Sequence, residues 1–247
     1  QETFRALACG HLASILIGSA LMKVPAEGWK PKGWIPPSEE ELAKQMKTSA
    51  NVHHNEALKT PQFHLIWAAV FGNAVAGVTV ISSASTIIMD TFHAAMPAIV
   101  TGSFAASYLM ALSSANMLGR LTWATISDYT GRKNAYYLFG LSIPIAAGIP
   151  MITAMVSSGE MSGNIPLSFF CGGTFAIVSF YGGLFSVLPA YLADLFGQKH
   201  VGAIHGRLLT AWAAASIIGP NMMAFFEKNI TYKCCNRSDS SSRPWCV

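Results

Sequence analysis

The chain has 247 residues, of which 52% are hydrophobic and only 11% charged, with a net charge of +4 and a mean hydropathy of +0.40. That balance excludes a water-soluble globular domain, and so small a positive charge, gathered in the connections between apolar runs, implies no nucleic-acid partner. A bilayer core about 30 Å thick needs roughly 20 mostly apolar residues per crossing helix. The stretches 4–22, 63–89, 97–118, 134–155 and 166–188 meet that requirement, and 203–226 meets it with Arg207 at its edge. The expected fold class is all-α: a polytopic transmembrane helix bundle.

In chain order, Gln1 opens the sequence and apolar residues follow at once, with Lys23 after the run instead of before it. A secretory signal has the reverse order, so 1–22 is expected to be a transmembrane helix within a longer protein, and the chain reads as a fragment. Residues 23–60 form a connector with Lys23, Lys30, Lys32, Lys44, Lys47 and Lys59. Ser38 and Glu41 have capping-box spacing, which predicts a short surface helix over 39–49. Trp29 and Trp34 are expected at headgroup level. Thr60 and Pro61 supply an N-cap and a first-turn proline for the next helix.

The stretch 119–133, GRLTWATISDYTGRK, holds Arg120, Asp128, Arg132 and Lys133 between two apolar runs. It reads as a short link whose turns lie at Gly119 and Gly131. Lys199 and Arg207 mark a further basic connection at 189–207, whereas 90–96 and 156–165 carry no Lys or Arg. Basic residues in short loops mark the cytoplasmic side. Their strict alternation predicts a first span running outside to inside and an external polar tail over 227–247, with 61–226 as the main bundle. Cys234, Cys235 and Cys246 are then placed for disulfides and Asn229 and Asn236 sit in glycosylation sequons, while Cys9 and Cys171 are expected to be reduced and buried in spans.

Within the spans, Pro144, Pro150 and the Gly219-Pro220 pair are expected to interrupt helices. Gly72/Ala76 and Gly102/Ala106 have the small-x-x-x-small spacing that lets helices approach closely, and Gly172, Gly173, Gly182 and Gly183 extend that set. Neither a metal-ligand cluster nor a nucleophile–base motif appears, and the seven histidines are scattered apart from His53-His54. No enzyme, metal or cofactor is expected.

SDYTGRK resembles the Asp-Arg-x-Gly-Arg-Lys loop of the major facilitator superfamily in its C-terminal-half copy. TPQFHLIWAAVFGNAVAGVTVISSAS, NMLGRLTW and PAYLADLFGQKHVGAIHGRLLTAW are similar to the oxalate/formate antiporter branch and its monocarboxylate-transporter relatives. VPAEGWKPKGW resembles the segment that ends that branch's sixth helix. The resemblance covers about 4–226 and implies a partial major facilitator fold. Helices six to eleven are represented, while helices one to five and helix twelve are not.

The resemblance implies secondary active transport of a small organic anion by alternating access, through proton symport or anion exchange. The plasma membrane is the expected location, with the missing N-terminal half of the same transporter as partner. It also implies a cytoplasmic gate built on the loop motif of Gly119, Arg120, Asp128, Gly131, Arg132 and Lys133, with Asp128 and Arg132 acting as a latch. Asp194 is the natural partner for Arg132 or Arg120. Tyr129 stands where the family has a basic residue and Ala124 where it has glycine. Oxalate-transporting members use basic residues in the eighth and eleventh helices. Here 97–118 holds none and 203–226 holds only Arg207, which favours a monocarboxylate over oxalate. Candidate cavity residues are Asn73, Ser82, Ser83, Tyr108, Asn116, Tyr181, Arg207 and Trp212, and His205 is a candidate proton carrier. The competing readings are a non-transporting scaffold, a receptor-like relative or an inactive fragment.

Overall fold

The computed structural model describes residues 2–23, 28–30, 32, 33, 35, 38, 48, 51–161 and 163–237, with side chains as far as residue 225. Two units are distinct, divided at Glu41 and Leu42. In the first, α1 (Glu2–Leu21) is a 20-residue helix none of whose residues is buried. Cys9, expected to be buried, is exposed there. Trp29 is exposed as well. The surface helix expected over 39–49 and Trp34 lie outside the described residues.

Among the described residues, the first helix of the second unit is α2 (His54–Ala57), a single turn, followed by α3 (Pro61–Ile88). Thr60 caps α3 as its sequence suggests: its Oγ1 accepts the Phe63 amide at 3.4 Å and Pro61 occupies the first turn. A wide π turn, Met89–His93, prolongs this helix. After a turn closed by the His93 Nδ1 and Val100 carbonyl contact (2.6 Å), Thr101 caps α4 (Gly102–Thr130). The chain then forms α5 (Arg132–Phe139), α6 (Ser142–Ser157), α7 (Asn164–Phe196), α8 (Val201–Leu208) and α9 (Thr210–Arg237). No strand occurs among the described residues. Five helices, counting α5–α6 and α8–α9 as continuous rods, are long and apolar enough to cross a membrane.

α4 differs from its sequence reading in two ways. The expected link at 119–133 is helical through Thr130, so Gly119 lies in mid-helix and only Gly131, at φ 87°, turns the chain. That backbone region is open to glycine and strained for other residues. The expected span 97–118 is thereby moved to 102–130. Its 29 residues make it about 43 Å long at 1.5 Å per residue, longer than a bilayer core. It is nonetheless too polar to stand with the five apolar helices, because Ser113, Ser114, Asn116 and Arg120 all lie within it. At the other end of the unit, the polar tail expected from 227 begins as a continuation of α9 to Arg237 and takes in Cys234 and Cys235. Cys246 lies outside the described residues.

α7 is the central element, packed against α3, α4, α5, α6 and α8. Its tightest crossing is with α4. A Cβ on Gly119 would overlap the backbone of Ser179, one on Gly182 the backbone carbonyl of Asn116, and one on Gly183 the Trp123 ring. Glycine is required there by backbone-to-backbone contact, the role small residues play between membrane helices. Gly77 seats the Tyr181 ring in the same manner, and Gly219 approaches Thr79 on α3. Gly102 and Gly172 meet nothing within 4 Å, so the Gly102/Ala106 pair is not a packing seam.

Two large apolar clusters, with a small third around Ala74, Tyr181 and Ala215, fill the unit. One, around Phe139, Leu188, Leu192 and Leu208, lies toward the end bearing the basic residues. The other, around Ile88, Phe92, Phe170 and Ile177, lies toward the opposite end. The prolines act unequally. Pro144 follows a break at Gly140-Leu141 that separates α5 from α6, whereas Pro150, Pro189 and Pro220 lie within continuous helices. The break is held by Asn73 of α3, fully enclosed, whose Nδ2 donates to the Phe139 carbonyl (3.2 Å) and to Ser142 Oγ (3.1 Å). An unmade pairing for such buried carbonyls is costly.

Candidate functional site

A cleft of about 640 Å³ lies against α4. Leu109, Leu112, Ser113, Asn116, Met117 and Arg120 line it from α4, facing Ile81 of α3 and Val178 of α7. The spacing follows from helical geometry, since residues three and four apart share a face. The walls are largely apolar and Arg120 is the cation among them. Its Nε donates to Asn116 Oδ1, one turn back, at 3.3 Å. No carboxylate among the described residues forms an ion pair with it. A guanidinium always carries charge and presents a planar donor fork matched to a carboxylate.

Arg120 was placed by sequence in the loop motif, not in the cavity. The apolar run ends at Leu118, but the helix does not, and its continuation carries Arg120 onto the face of Asn116. The i, i+4 spacing of Asn116 and Arg120 is the signal that points to this arrangement.

A second polar site occupies the end of the bundle where α4, α5 and α7 meet. Arg132, the first residue of α5, donates through Nη1 to Asp194 Oδ2 at 2.7 Å and through Nη2 to Asp128 Oδ1 at 3.1 Å. Both Arg132 and Asp194 are largely enclosed, with side chains 20% and 16% exposed, whereas Asp128 is 64% exposed. Gly131 turns the chain so that Arg132 faces back across the end of α4. Arg120 takes no part, and Lys133 instead lies 5.9 Å from the centre of the Tyr137 ring.

The two pairs differ in worth because water screens the exposed one. D194N is expected to cost about 1–2 kcal/mol of unfolding free energy, by loss of a charge-assisted, partly enclosed hydrogen bond. D128N is expected to cost under about 1 kcal/mol. Denaturation of the detergent-solubilised chain followed by tryptophan fluorescence checks both, and equal losses would contradict the ranking.

Most of the other cavity candidates serve as helix-to-helix contacts. Tyr108 is buried, its hydroxyl paired with Thr174 Oγ1 at 2.7 Å. Trp212 Nε1 donates to the Tyr181 hydroxyl at 2.8 Å, joining α9 to α7. Asn73 holds the α5–α6 break. Ser82 donates to the Thr79 carbonyl at 3.1 Å and lies 3.5 Å from Ser83, and neither lines the cleft. Arg207 also stands away from the cleft, donating to Asn55 Oδ1 at 3.2 Å, and His205 lies on the same short helix. Of the eight, Asn116 alone lines the cleft.

Over 187 residues, 74% of its length, the chain is 25% identical to the oxalate:formate antiporter of Oxalobacter formigenes, covering 40% of that protein. Over 230 residues, 87% of its length, it is 26% identical to apicoplast pyruvate carrier 1 of Toxoplasma gondii, again covering 40%. The chain thus spans about two fifths of the length of these curated relatives. No family model matches it, and no solved structure does. Both relatives agree with the resemblance to an oxalate/formate antiporter-like transporter, and neither is an enzyme by name. With its five crossing-length helices, the chain is an integral, multi-pass membrane protein.

Proposed function

We propose that this chain is part of a major-facilitator-type secondary transporter that carries a small organic anion, a monocarboxylate, by alternating access. The observation that carries the reading is the apolar cleft with Arg120 in its lining. One unpaired cation matches one carboxylate, and apolar walls match a short carbon skeleton. A dicarboxylate would bring a second charge to walls that offer no second cation among the described residues. The similarity to an antiporter and to a pyruvate carrier supports a cargo of this class.

In this reading the end bearing Arg132 faces the cytoplasm, as its basic residues favour. The Asp128–Arg132–Asp194 cluster then closes that face in one state of the cycle. The cargo site lies between two halves that rock against one another, and this chain supplies the wall that carries Arg120. Cargo moves with a proton or in exchange for another anion.

The test is uptake of radiolabelled formate, pyruvate and lactate by the complete transporter in proteoliposomes. Saturable uptake of at least one, inhibited by the others, is expected. No saturable flux of any of the three, or a clear preference for oxalate, would overturn the assignment. The 247-residue chain on its own is expected to show no saturable uptake, having one wall of the site.

A further inference from the structure

Three imidazoles meet where the segment before α3 lies against the α7–α8 turn. The ring centres of His53 and His54 are 4.0 Å apart, those of His53 and His200 5.1 Å, and those of His54 and His200 5.8 Å. The segment is fastened there by its backbone. The Thr48 amide donates to the Asp194 carbonyl and the Val52 amide to the Phe196 carbonyl, both at 2.9 Å, while the Lys199 amide donates to Asn51 Oδ1 at 3.0 Å. These contacts satisfy terminal carbonyls of α7 that have no partner within the helix.

The charged surroundings are one-sided. From the segment itself come His53 and the exposed pair Glu56–Lys59, which bond to each other at 2.9 Å. The α7–α8 turn contributes Lys199 and His200, and α8 contributes His205 and Arg207. Asp194, at the end of α7, is taken by Arg132. Among the described residues, no carboxylate pairs with any of the three histidines or with Arg207. His53 has a further constraint. Its Nδ1 accepts the Asn55 amide at 3.3 Å, capping α2, and an imidazolium has no lone pair with which to accept.

We propose that His53, His54 and His200 form a proton-operated catch: neutral, they stack and hold the 51–57 segment on the end of α7, and protonated, they release it. Protonation puts like charges 4–6 Å apart beside Arg207 and removes the α2 cap. Burial of the ring, then the nearby His53, Arg207 and His200, hold the His54 pKa below the ordinary 6.5. A group with a lowered pKa in the docked state favours docking while it is neutral. The contribution is therefore complete above about pH 6.5, the ordinary histidine value, and is lost as pH falls below it. The catch is a property of this chain's own corner and operates whatever the cargo.

Hydrogen–deuterium exchange of the full 247-residue chain in detergent, corrected for the intrinsic pH dependence of exchange, reads the docking directly. Protection of the amides of Val52, Asn55 and Glu56 is expected to fall about tenfold or more between pH 7.5 and 5.5, while mid-α7 amides hold theirs. In the H53Q/H54Q/H200Q variant this pH dependence is expected to vanish. Protection that does not change with pH in the unsubstituted chain, or that falls equally in the variant, would overturn the catch. Should the variant not fold, the imidazole NMR titration of the unsubstituted chain decides: His54 titrating at or above pH 6.5 would overturn the proposal, and below it would support it.

Discussion

Under the proposed function, R120Q in the complete transporter is expected to lower kcat/KM for a monocarboxylate cargo by about tenfold or more. Arg120 is exposed on the cleft wall, and loss of a charge-assisted hydrogen bond costs about 1.5–3 kcal/mol, each 1.4 kcal/mol being tenfold. The fold is expected to tolerate the change, because Arg120 makes a single side-chain hydrogen bond, to Asn116, among its described contacts. R120K keeps the charge but loses the planar fork, so an intermediate loss is expected. R207Q, remote from the cleft and bonded to Asn55, is expected to change uptake less than threefold. Initial-rate uptake at matched expression checks the series. An R120Q transporter within threefold of the unsubstituted one would remove the cleft from consideration as the cargo site.

G182A is expected to destabilise the chain by about 1–3 kcal/mol, the range for overpacking a well-filled core. The added methyl meets the backbone carbonyl of Asn116, which cannot turn aside as a side-chain terminus can. G119A, whose methyl meets the Ser179 backbone from the opposite helix, is expected to fall in the same range. The double variant is expected to cost less than the sum, since one separation of α4 from α7 relieves both clashes. G172A serves as control, because nothing lies within 4 Å of its added methyl, and its effect is expected within about 0.5 kcal/mol. Thermal unfolding in detergent distinguishes these outcomes. G182A and G172A behaving alike would mean that the α4–α7 contact is looser than the structure has it.

The apolar runs were legible because burying or lipid-facing 20 residues leaves an unmistakable stretch of composition. α3, α7 and the α5–α6 and α8–α9 rods all appear where such runs stand, and Thr60-Pro61 marks the start of α3 to the residue. Helix ends were less legible wherever apolarity stopped before the backbone hydrogen bonding did. α4 passes twelve residues beyond Leu118 and α7 eight beyond Leu188, because hydropathy reports side chains while a helix is held by main-chain groups. That difference hid Arg120, assigned to a loop on the strength of its charge. The Arg132–Asp194 contact was foreshadowed by the reading of Asp194 as the partner of Arg132 or Arg120 that accompanied the family resemblance, and an enclosed charge needs such a partner. Asn73, by contrast, gave no indication that it fastens the Gly140-Leu141 break. Its partners lie 66 and 69 residues away, and nothing local in the sequence points to them.

Gly119 and Gly182 bring α4 and α7 into contact at backbone distance, with Gly183 seating the Trp123 ring, and a seam of that kind leaves little room for sliding. The two helices therefore behave as a single strut, and six of the cleft's lining residues, with Val178, ride on it together. Within this chain, a change in the shape of the cleft has to come from its third side, where Ile81 stands on α3. Labels on Ile81 and Met117 are expected to report movement through a transport cycle, while labels across the α4–α7 seam keep one fixed distance. On this wall of the passage, the adjustable part would then be one helix moving against a rigid pair.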